Sequence, residues 1–325
     1  MKRKKFRIMR AVCLIVMLVC LIRIGQVRVL SARHEAKQKE LRTRIAYEDE
    51  GEARESAAAL NDNEKADAKQ PERESVDQGD DKTGRTDGGG EHGGGKANPA
   101  GASPAGSGEQ GDEPETEEKE KTCDSGIPGE EGGRPLLKKY KDLYMQNGDM
   151  TGWLTVEGTK IDYPVMQCED DEYYLHHDFE KEDSKYGCLY VRERADLENG
   201  TNFVIYGHNM KDGSMFGELD LYLEEEFYKE HSNISFHTLY EEHTYEILAV
   251  FRSRIYGEKE DGFKYYQFYE AKSKAEFDDF YENVKELSLY DTGVEAEFGD
   301  TFLTLSTCAY HVKNGRLAVV AKRVG

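Results

Sequence analysis

Cysteine is scarce in this chain and poorly spaced for metal or redox work. The 325 residues hold six, Cys13, Cys20, Cys123, Cys168, Cys188 and Cys308, and no two form a C-x-x-C pair. That leaves neither a zinc knuckle nor a thioredoxin-type site. Two of them lie in an apolar N-terminal segment and one in a glycine-rich stretch, so no disulfide framework is expected, although a Cys168–Cys188 bridge stays open. An excess of basic charge is also missing. With 65 acidic and 44 basic side chains the formal net charge is -21, which excludes a nucleic-acid partner that would need a basic surface. No internal repeat is present. The apolar run near the N-terminus, Ala11 to Ile22, is only twelve residues long, against about 20 for a membrane helix.

What is present divides the chain in three. Lys2, Arg3, Lys4, Lys5, Arg7 and Arg10 precede the apolar run. Counted from Phe6 to Ile24, the segment reaches spanning length once Arg7, Arg10 and Arg23 snorkel toward head groups. The basic leader then predicts a cytoplasmic N-terminus and an exported remainder. The rival is a cleaved signal peptide, but Arg-Ile-Gly-Gln-Val-Arg after Ile22 is a poor cleavage site. Residues 1–30 are therefore read as basic leader and membrane anchor. Residues 31–133 have few large apolar side chains and include Asp87-Gly-Gly-Gly-Glu-His-Gly-Gly-Gly. Such a stretch buries too little to offset its ordering entropy, so an acidic, disordered linker is expected. Its first part, to about Leu60, has a charged helix as the alternative.

Residues 134–325 carry the aromatic and β-branched density of a folded domain. Leu136, Leu137, Tyr140, Leu143 and Tyr144 recur at helical spacing behind Pro135. Trp153 to Met166 reads as two strands around a Glu157-Gly158 turn, and further strands are predicted at 187–191, 202–208, 234–237, 245–254, 301–308 and 316–323. Helical signals are fewer: a broken stretch over 215–228, and a capping box Ser273-Lys-Ala-Glu276 followed by Phe277, Phe280, Tyr281 and Val284. Many short strands with few helices predict a mainly β fold, a barrel or sandwich with peripheral helices.

Chemistry concentrates near the C-terminus. In Thr301-Phe-Leu-Thr-Leu-Ser-Thr-Cys308, alternation places Leu303 and Leu305 on one face and Thr304, Ser306 and Cys308 on the other. If the flanking strands form a hairpin, Cys308 and Arg316 face each other at its open end. Arg323 is the alternative cation, but seven residues on it lies roughly 23 Å away at strand rise. His208 ends the strand Asn202-Phe-Val-Ile-Tyr-Gly-His. A thiol, an imidazole and a guanidinium at one rim supply a nucleophile, a proton donor for a leaving amine, and a planar cation for an oxyanion.

Several words in this stretch resemble class B sortases. Tyr206-Gly-His-Asn-Met210, Thr304-Leu-Ser-Thr-Cys308 and Gly315-Arg-Leu-Ala-Val-Val look like that family's active-site segments. Asp162-Tyr-Pro-Val-Met-Gln and Asp171-Glu-Tyr-Tyr-Leu-His-His-Asp-Phe179 are similar to it as well. The resemblance covers about 136–324 and implies a closed β-barrel of about eight strands. It also implies a membrane-held cysteine transpeptidase with His208, Cys308 and Arg316 as catalytic residues. Leu175, Tyr206, Phe263, Ser306 and Thr307 would line a groove for a sorting motif of the LPxTG or NPxTN kind, carried by secreted proteins. An amine of peptidoglycan or its precursor would resolve the thioester. No cofactor and no metal is expected; His176-His177 is read as adjacent side chains pointing apart. A pilin polymerase and an inactive surface scaffold are the alternative readings.

Overall fold

A computed structural model describes residues 2–67 and 134–325, with side chains described over 13–51 and 134–325. The first element, helix α1, runs without a break from Lys2 to Asp67. Within it, Cys13–Gly51 contains a window of mean hydropathy 2.2 that is not buried at all, long and apolar enough to cross a membrane. One such helix near the N-terminus is consistent with a single-pass anchor. The helix does not stop where the apolar residues stop. Of the two readings for residues 31–60, the charged helix is the one found, and α1 up to Ser56 belongs to the same compact unit as the C-terminal domain. The glycine-rich stretch 87–95 lies outside the described residues.

The domain continues with α2 (Lys138–Gln146), β1 (Met150–Thr155), β2 (Asp162–Met166), the single turn α3 (Tyr173–His176), β3 (Leu189–Val191) and β4 (Asn202–Gly207). A 3-10 turn, Gly217–Leu223, leads to α4 (Glu225–Glu230), β5 (Asn233–Thr238), β6 (Thr244–Arg254), α5 (Lys274–Leu287), β7 (Phe302–Cys308) and β8 (Gly315–Arg323). Among the described residues the eight strands close into a barrel in the order β1-β2-β3-β4-β7-β8-β6-β5. Most neighbours are antiparallel. The exceptions are β2 with β3 and β4 with β7, which run parallel.

Strand alternation sorts the apolar residues into two cores. The barrel interior takes Leu154, Val165, Leu189, Ile205, Phe236, Ile247, Leu305 and Val319, all fully buried. The opposite faces of the same strands form an outer layer that needs its own cover. Helix α5 supplies it: Phe302 of β7 sits against Phe277 at 5.2 Å and Phe280 at 5.4 Å between ring centres. Each such buried ring contributes roughly 1.5–3 kcal/mol. Ser273 caps α5 by accepting from the Glu276 amide at 3.3 Å, while the Glu276 carboxylate takes the Lys272 amide at 2.8 Å. The cap thus works as the sequence implies, with the return bond displaced by one residue.

The cysteines depart from expectation at one place. Cys168 is disulfide-bonded, whereas Cys188 is a buried free thiol, so the bridge between these two does not form. Burial raises the Cys188 pKa well above its ordinary value, with Asp178 and Glu180 adding to the effect, and the thiol is inert packing.

Candidate active site

The site sits on the outer face of the barrel, where β4, β7 and β8 end or begin at one rim. Parallel pairing matches Tyr206 with Ser306 and Gly207 with Thr307. The residues that follow, His208 and Cys308, are therefore neighbours although a hundred positions separate them in the chain. Antiparallel pairing then matches Cys308 with Arg316, which places their Cα atoms roughly 4.5–5.5 Å apart. Since Leu317 and Val319 fill the barrel, Arg316 stands on the outer face with Cys308. All three side chains are half-exposed, as reaction with a solvent-borne chain requires.

Each is held by specific partners. His208 Nε2 lies 2.8 Å from the carbonyl oxygen of Leu175. A carbonyl can only accept, so Nε2 carries a hydrogen and donates it to Leu175. One guanidinium N–H of Arg316 donates to the Gly315 carbonyl at 3.0 Å, and the fork carries further donors. Gly207 is required by packing rather than by its backbone angles: a Cβ there would collide with Leu189 and Phe216. Asn209, which sequence reasoning did not single out, joins the two halves of the site. Its amide donates to the Cys308 carbonyl at 3.0 Å and to the Asp220 carboxylate at 3.2 Å.

The outer face beside the thiol is aromatic. Tyr206 stacks on Tyr190 at 5.5 Å, and Arg192 lies over the Tyr206 ring at 5.1 Å. Ser306 is buried, and its hydroxyl shares a 2.8 Å hydrogen bond with Tyr265. Burial pushes the Tyr265 phenol up to about 12 despite the Ser306 hydrogen bond and nearby Arg316, so it stays protonated at neutral pH. Leu175 is half-buried against the outer core and presents its carbonyl to His208. Phe263 is half-buried as well, its ring 6.4 Å from Phe251 and 5.6 Å from Phe280, so it packs in the loop beside α5.

Thr307 departs from the expected groove set. It shares the barrel-facing side with Leu303 and Leu305, is buried, and its hydroxyl donates to the Gly207 carbonyl at 2.8 Å. Period-two alternation forces this: a residue adjacent to Cys308 must face the other way. Its side chain ties β7 to β4 instead of touching the groove. His176 and His177 sit at the end of α3, where His177 stacks on Tyr173 at 3.9 Å. Helix α3 ends at His176, and His177 follows it in extended backbone bridged to Asp183.

Comparison with known proteins bears on the same stretch of chain. The Sortase domain family model matches residues 154–324, more than half of the chain. The chain belongs to the sortase family. Among curated relatives, sortase B of Listeria monocytogenes is 37% identical over 189 residues, covering 57% of this chain and 74% of that protein. Sortase B of Staphylococcus aureus is 30% identical over 187 residues, with the same two shares of 57% and 74%. Among solved structures, a Staphylococcus aureus sortase B–substrate complex superposes with a TM-score of 0.53 at 29% identity. That match covers 58% of this chain and 86% of the other. Sortase B from B. anthracis gives 0.52 at 35% identity, covering 59% and 89%. This sortase is thus of the B type, a cysteine transpeptidase, and its closed eight-stranded barrel is the family's fold.

Proposed function

We propose that this sortase joins secreted proteins to the cell wall through Cys308. The thiolate attacks the carbonyl carbon of the scissile peptide bond in a C-terminal sorting motif. Arg316 donates to the oxyanion of the tetrahedral intermediate, and the His208 imidazolium protonates the departing amine as the bond breaks. A thioester with Cys308 remains. An amino group of peptidoglycan or its precursor then attacks that thioester, passes its proton to His208, and releases the Cys308 thiolate as the new amide forms. Leu175, Tyr206 and Ser306 line the motif groove, with Phe263 on the loop that walls it. The N-terminus lies in the cytoplasm and the catalytic domain outside the cell, as the basic leader implies.

The observation that carries this reading is the register pair of Cys308 with Arg316, one strand away from His208 and on the face that also bears Tyr206 and Ser306. The test is intact-mass measurement on the full-length protein in detergent micelles, with LPxTG-like and NPxTN-like peptides and with Cys308→Ala as control. An acyl adduct on the wild type alone, discharged faster when an amine is added, is the expected result and names the motif. A folded wild type that neither acylates nor cleaves any peptide overturns the assignment.

A further inference from the structure

Helix α1 does more than leave the apolar run. Past it, His34, Gln38 and Leu41 are buried and Lys37, Arg42 and Ile45 half-buried, a stripe at helical spacing that marks a docked face. Arg42 fixes this face to the barrel, with its Nε 3.1 Å from the Asp162 carboxylate and 2.9 Å from the Asp162 carbonyl. Ser31, His34 and Lys37 meet two loops, and both lead to His208.

The first loop, 177–188, begins two residues after Leu175, whose carbonyl holds the His208 ring. Lys37 Nζ gathers three of its carboxylates, Asp178 at 2.7 Å, Glu182 at 2.8 Å and Glu180 at 3.2 Å. The His34 ring stacks on Tyr186 of the same loop, 4.1 Å apart and 10° from parallel. The second loop, 209–216, follows His208 directly. Ser31 and Tyr186 both donate to the Asp212 carboxylate at 3.1 Å, and Asp212 in turn accepts from the Ser214 amide and hydroxyl at 3.2 and 2.6 Å. Phe216 closes that loop by donating its amide to the His208 carbonyl at 2.9 Å.

We propose that the juxtamembrane face of α1, through Lys37 and Ser31, positions His208 for proton transfer. The inference rests on the reading of His208 as the acid. Isolated surface ion pairs contribute little, but Lys37 is the shared counter-ion of a carboxylate cluster that includes buried Asp178. Without it, like charges crowd one loop and the Leu175 segment relaxes. A shift on the order of 1 Å at a reacting group lowers turnover by as much as about 100-fold, and substrate affinity need not change. Lys37 and Ser31 are positioning residues: neither touches the groove.

Full-length enzyme in detergent micelles, assayed with the motif peptide and an amine, tests this. Lys37→Ala is expected to lower kcat about 5–20-fold with KM unchanged, and Lys37→Arg to restore most of it, as misplacement of a proton donor implies. Ser31→Ala probes the second loop by itself and is expected to lower kcat about two- to threefold. Glu35→Ala, on the exposed face of the same turn, serves as the control for non-specific effects. Lys37→Ala with wild-type kcat, or a loss that Glu35→Ala reproduces, overturns the proposal. His208→Ala separates the two readings: if it stays active, the acid is misassigned and the proposal falls with it. If it is inactive while Lys37→Ala is unimpaired, only the role of α1 falls.

Discussion

Tyr265 and Asn209 show how single side chains hold the groove in register with the thiol. Tyr265→Phe removes the partner of a buried Ser306 hydroxyl, at a cost of about 1–3 kcal/mol. Denaturant titration is expected to show that loss, accompanied by a higher KM for motif peptide. Asn209→Ala removes the amide that joins Cys308 to Asp220, and kcat is expected to fall about tenfold in steady-state assays, the scale of a misplaced reacting group. Thr307→Val should leave KM alone and lower stability by about 1 kcal/mol, since its hydroxyl bonds the Gly207 carbonyl inside the barrel. Ser306→Ala is expected to do the reverse, raising KM in the peptide assay. At this scale, strand ends and period-two alternation put Cys308, His208 and Arg316 at one rim, and the resemblance to class B sortases singled them out. The same alternation, applied one residue earlier, would have turned Thr307 away from the groove. Tyr265 and Asn209 were not legible because their partners lie 41 and 99 positions away, and nothing local announces such contacts.

Among the elements, those with strong local signals matched the sequence reading. The capping box and the Phe277, Phe280, Val284 stripe foretold α5, and all three side chains are buried. Ser273→Ala is expected to cost about 1 kcal/mol, read as a lower unfolding midpoint. The short elements were harder. Helix α3 has four residues, too few for a periodic pattern, and its existence depends on the 177–188 loop folding back against it. Residues 31–60 looked like linker because charge dominates their composition. Helix formation there draws on a narrow buried stripe and on Lys37 and Arg42, whose acidic partners lie more than a hundred positions away. Composition cannot report that complementarity; only the assembled surface does.

For the whole molecule, buried tyrosines set an alkaline limit. Burial pushes Tyr190 and Tyr265 up to about 12 from 10.0, so between those values the folded chain holds protons that the unfolded chain has released. Their contribution to stability is complete below pH 10 and is lost as pH rises toward 12. Thermal melting followed by ultraviolet absorbance is expected to show a falling midpoint across that window, coincident with tyrosine ionisation. The strand order has a consequence of another kind. The β7–β8 hairpin comes last among the described strands, yet it inserts between β4 and β6 to close the ring. Cys308, the nucleophile we propose, therefore travels on the wedge that completes the fold. A chain emerging N-terminus first brings no thiol beside His208 until this hairpin has arrived. A molecule clipped before this hairpin loses Cys308 and Arg316 together and is expected to be silent.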